Sequence, residues 1–104
     1  MEGSEQAERT FLVEHYWPGV TPEEFRSAAE RVRLSAEEVS LGDTKIAFLH
    51  STLVPGDEAA FCVFQAGSME AVVEAYTRAG VTFERILDAL EVERDSSLRR
   101  KENS

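Results

Sequence analysis

Strand-like and helix-like periodicities alternate along this chain in the order strand, helix, strand, strand, helix, strand, and few topologies close that order around one core. Thr10 to Tyr16 reads as the first strand, with Phe11 and Val13 in alternation and the aromatics Tyr16 and Trp17 at its end, where Pro18-Gly19 stops it. The first helix is announced by Thr21-Pro22-Glu23-Glu24: an N-cap, a proline at the first helical position and a glutamate three residues after the cap. Phe25, Ala28, Ala29, Val32, Ala36 and Val39 then recur at the three-and-four spacing of one buried face. Glu30, Arg31, Arg33, Glu37 and Glu38 mostly fall opposite, and Gly42-Asp43 ends the segment. Lys45 to Val54 is the second strand, Pro55-Gly56-Asp57-Glu58 a turn and Ala59 to Ala66 the third strand, so these two form a hairpin. Ser68 caps a second helix with Met69, Val72, Val73 and Tyr76 on one face, ending near Gly80. Glu84 to Glu93 is the last strand, carrying Ile86, Leu87, Leu90 and Val92.

Two strand–helix units joined through a central hairpin predict an α+β fold, the ferredoxin-like βαββαβ sandwich. Its four-stranded antiparallel sheet has the order 4-1-3-2, with both helices on one face. Both parities of the strands are apolar: Phe11 and Val13 against Leu12 and Tyr16, Phe61 and Val63 against Phe64, Phe48 against Leu49 and Leu53. A sheet apolar on both sides needs a second cover, and a homodimer stacking the open faces into an α+β barrel supplies one. With 104 residues there is room for a single core. Residues 10–93 are the expected domain, between a flexible N-terminus at 1–9 and a flexible charged tail at 94–104.

Charge and hydropathy narrow the partners. A net charge of −9 opposes wrapping nucleic acid, which requires clustered Lys and Arg. Residues 94–104 carry a local net charge of +2, which reads as a solvated terminus. No apolar stretch approaches the ~20 residues of a membrane span. The start, Met1-Glu2-Gly3-Ser4-Glu5-Gln6, lacks the basic and apolar regions of a secretory signal. A lone cysteine forms no internal disulfide and suits a reducing compartment, so the expected location is cytoplasmic.

The residues with chemistry are few. Cys62 sits in the run Ala60-Phe61-Cys62-Val63-Phe64, and His50, one of two histidines, lies in the preceding strand. Glu14 interrupts the apolar run Phe11-Leu12-Val13, and a carboxylate inside a central strand is costly unless paired or bound. With the third strand between the first and second, Glu14, Cys62 and His50 could form a row across the open face, a donor set suited to a transition metal. Register decides this. A hairpin centred between Gly56 and Asp57 opposes His50 to Val63, whereas a bulge or odd loop opposes it to Cys62, and the residues leave both open. Against the row stand blander readings: Cys62 as a small buried apolar residue, and His50 as a hydrogen-bonded structural histidine. His15, on the opposite parity, either joins a site through the strand twist or is solvated. Tyr16 and Trp17 either wall a ligand pocket or serve as core or interface aromatics, and Asp88 is a further polar candidate.

The segments Phe11-Leu12-Val13-Glu14-His15-Tyr16-Trp17-Pro18-Gly19, Leu49-His50-Ser51 and Phe61-Cys62-Val63-Phe64, with Val81-Thr82-Phe83-Glu84-Arg85-Ile86, resemble a family of small bacterial proteins of unknown function. That family has a ferredoxin-like fold and includes an actinobacterial nickel-binding protein. The resemblance spans about residues 10 to 93 and implies a dimer that takes Ni2+ or another late divalent metal. The other reading is a dimeric α+β-barrel enzyme, or a small-molecule-binding protein, with His50 or Glu14 as acid/base. No Gly-rich phosphate loop, CxxC, HExxH or GxSxG motif favours a particular enzyme class.

Overall fold

Residues 9–90 are described by a computed structural model. The N-terminal stretch, Val92 and the charged tail discussed above lie outside the described residues. The elements are β1 (Arg9–Tyr16), α1 (Pro22–Ser40), β2 (Ile46–Val54), one 3-10 turn (Pro55–Asp57), β3 (Ala59–Ala66), α2 (Met69–Ala79) and β4 (Arg85–Ala89). Local chemistry explains most boundaries. At the start of α1 the Thr21 hydroxyl accepts from the Glu24 amide at 3.1 Å, while the Glu24 carboxylate accepts from the Thr21 amide at 2.9 Å. Ser68 caps α2 by accepting from the Ala71 amide at 3.3 Å. Gly80 ends α2 at φ 70°, a left-handed conformation that favours glycine. β4 begins at Arg85, one residue after the expected start, and its ladder with β1 runs from Glu14↔Arg85 to Thr10↔Ala89; residues 91–93 of the expected strand lie outside the described residues.

The sheet has the order β2-β3-β1-β4, with every neighbouring pair antiparallel. This is the expected 4-1-3-2 order read from the other edge. Both helices pack on one face, where Phe11, Val13, Cys62, Phe64 and Ala66 join Phe25, Val32, Ala36, Val72, Ala75 and Tyr76 in one buried cluster. Phe64 stacks edge-on with Phe48, at 5.3 Å between centroids, and with Tyr76 at 5.8 Å; Tyr76 in turn meets Phe83 at 5.2 Å. Each fully buried ring contributes ~1.5–3 kcal/mol by leaving water, so this aromatic chain ties β2, β3, α2 and the α2–β4 loop together.

The β2–β3 register resolves the alternative left open by the residues. Pairing runs from Val54↔Ala59 to His50↔Val63, the frame centred between Gly56 and Asp57, and then shifts between His50 and Phe48. Leu49 is the extra residue of this bulge. Without the shift Phe48 would oppose Gln65 and point away from the core; with it, Phe48 opposes Phe64 and Ile46 opposes Ala66, both on the helix face. The other face shows Leu12, Phe61, Val63 and Leu87, and no described element covers it.

Candidate functional site

The expected row of Glu14, Cys62 and His50 across the open face does not form. Cys62 opposes Val13 and turns toward the helices, where it is 1% exposed. His50 opposes Val63 on the open face, and it is exposed because β2 is an edge strand. Residues directly opposite in a ladder share a face and adjacent residues do not, so the register that pairs His50 with Val63 separates it from Cys62. Glu14 shares the open face with His50 but lies opposite Phe61, one row away and two strands distant, so ~10 Å or more separates them. Its carboxylate is taken by Arg85, whose Nε donates to it at 2.5 Å, and this pairing explains a carboxylate in the central strand. Asp88 is likewise held by Arg9 at 2.9 Å, whose guanidinium lies 4.9 Å from the centre of the Phe11 ring. Among the described residues no group of three or more His, Cys, Asp and Glu is placed to hold a metal ion.

A different set of polar residues converges on the helix side. His15 follows Val13 by two, shares its face, and lies diagonally across the ladder from Cys62; it is 4% exposed. Its Nε2 is 3.0 Å from the Tyr76 hydroxyl, and the two rings are 5.4 Å apart. His15 and Tyr76 therefore form a buried polar pair inside an apolar core, and the Cys62 thiol lies on the same side of the sheet. Burial pushes the His15 pKa below its ordinary value and pushes the Cys62 and Tyr76 pKa values up, so all three are uncharged at neutral pH. The Thr82 backbone lies beside the His15 ring and partly offsets its shift, but Nδ1 remains buried with no hydrogen-bond partner. The bond can run in two directions. If Tyr76 donates to Nε2, Nδ1 carries the proton; in reverse, Nδ1 is an acceptor.

His15 also forms part of a cavity of about 230 Å³ between the end of β1, the middle of α1 and the α2–β4 loop. Tyr16, Trp17, Arg31 and residues Gly80 to Glu84 complete its walls. Thus His15, Tyr16 and Trp17 are brought together, while Glu14, His50 and Asp88 lie elsewhere. Arg31 and the loop were not singled out from the sequence. The available signal was Tyr76, a residue with a polar end on the apolar face of a helix, which requires a buried partner.

The model of the family described as nickel responsive protein SCO4226-like matches residues 11–88. The crystal structure of SCO4226 from Streptomyces coelicolor A3(2) is similar at a TM-score of 0.69 and 19% identity, over 81% of this chain and 99% of that one. This is a likeness of fold. No curated protein matches the chain.

Proposed function

Because the chain belongs to the SCO4226-like family of nickel responsive proteins, we propose that it binds nickel(II), or another late divalent metal, as a homodimer of ferredoxin-like units. The site is completed by two copies on the open sheet face, with His50 as the imidazole donor. The observation that carries this reading is the exposed His50 ring on a face where the apolar residues Leu12, Phe61 and Leu87 are only half-buried and no described element packs over them. A second copy stacked there would remove those side chains from water and bring further donors to the imidazole. Imidazole suits nickel, and since the described residues of one copy bring no three donors together, a second copy would supply the rest. Cys62 has no part in this set, since its thiol faces the opposite side of the sheet. Glu14 would contribute only by leaving Arg85.

The test uses the untagged protein, since tag histidines bind nickel. Light scattering should give twice the chain mass of 11.6 kDa. Calorimetric titration with nickel chloride should show binding that His50→Ala weakens at least about tenfold and Cys62→Ala leaves unchanged. Affinity should also fall as pH drops through the imidazole range near ~6.5, where protons compete for the ring. Equal affinity in wild type and His50→Ala would refute the assignment.

A further inference from the structure

We propose that the cavity between the end of β1, α1 and the α2–β4 loop is a binding site for a small aromatic monocarboxylate, separate from any metal. Four features of its walls point to that chemistry. Arg31 spends its Nε on the Ala79 carbonyl at 3.3 Å, which orients the guanidinium, while its terminal nitrogens have no partner among the described residues. A guanidinium with free terminal donors is suited to a carboxylate. Trp17 and Phe83 pack against the core cluster and also line the cavity, so their rings offer apolar surface to a flat body. His15 lines the same space and carries the one buried side-chain nitrogen without a partner among the described residues, an exception to the near-universal pairing of such groups. When Tyr76 donates to Nε2, Nδ1 bears a proton; that atom is closed to solvent, so His15 shapes the cavity wall and makes no direct bond to the ligand. Glu84 lines the cavity too, and its negative charge discriminates against a second carboxylate on the ligand. At about 230 Å³ the space is below the ~300 Å³ lower end of drug-sized pockets, so the ligand is of single-ring size.

Trp17 is the only tryptophan of the chain, so its fluorescence reports on this wall alone. Benzoate is the probe, with acetate lacking the ring, benzyl alcohol lacking the charge and phthalate carrying a second carboxylate. Titrations are run with EDTA present, so that failure of the nickel reading does not affect the outcome. The Trp17 indole signal in NMR spectra provides a second readout if fluorescence is insensitive. Benzoate should bind saturably with a Kd below ~1 mM, and the three controls at least about tenfold more weakly. Arg31→Gln, at an exposed position, should keep the wild-type melting curve and weaken benzoate at least about tenfold; His15→Gln should also weaken it. Absence of a saturable change in both readouts up to ~10 mM, or equal benzoate affinity in wild type and Arg31→Gln, would overturn the proposal.

Discussion

Tyr76→Phe removes one oxygen from the centre of the core and leaves the ring in place, so the buried His15–Tyr76 bond can be tested without opening a cavity. The ring contacts to Phe64 and Phe83 survive, and the apolar area buried hardly changes. What is lost is the 3.0 Å bond to His15 Nε2. His15 already lacks a partner at Nδ1, so the variant leaves an imidazole that is 4% exposed with no hydrogen bond at either nitrogen. A net bond of ~1 kcal/mol plus the cost of an unpaired buried polar group, ~1–3 kcal/mol, gives a destabilisation of about 2–4 kcal/mol. For a domain of this size that lowers Tm by about 10 °C or more. His15→Leu should be destabilising as well, because it removes a partner of the Tyr76 hydroxyl. In the double variant both ends of that bond are apolar, so it should cost clearly less than the two single changes together. Urea unfolding followed by circular dichroism at pH 8 measures all four proteins. A Tyr76→Phe cost below ~0.5 kcal/mol, or strictly additive single changes, would show that the His15–Tyr76 bond does not hold the core.

The His15 pKa is lowered by burial, so as pH falls below the unfolded value of ~6.5 the unfolded chain takes up a proton before the folded one does. Stability present above that pH should be lost on acidification toward the folded pKa, by at most ~1.4 kcal/mol per pH unit, and His15→Leu should flatten this part of the curve; parallel curves would contradict it. Gly80→Ala should cost ~1 kcal/mol from the left-handed backbone alone, because the space around an added Cβ is open; an unchanged urea midpoint would contradict this. The Cys62 thiol, buried and with its pKa raised, should react with a thiol reagent at pH 8 only as fast as the protein opens, and reaction at the rate of the denatured chain would place it at the surface.

Much of the fold was legible because it is written in local rules. The Thr21–Glu24 capping box, the Ser68 cap, the Gly80 stop and the exact span of β3 depend on residues within a few positions of one another, and each lies where its pattern indicates. The site was far less legible. Glu14 was singled out as a carboxylate needing a partner, but that partner, Arg85, is 71 residues away in another strand. His15 and Tyr76 are 61 residues apart, and nothing local to either shows that a helix lays one ring beside the other.

Periodicity, caps and turn residues by themselves determined the element order and, through the few ways that order can pack, the strand order of the sheet. Tertiary structure decided which side chains meet. The side-chain repeat of a strand is two residues, so a single inserted residue reverses every position beyond it. The Leu49 bulge is such an insertion: it turns Phe48 and Ile46 toward the core while His50 stays on the open face, opposite in direction to Cys62. Whether a hairpin tolerates that extra residue depends on the Phe48–Phe64 contact it creates, which exists only once the strands are paired under the helices.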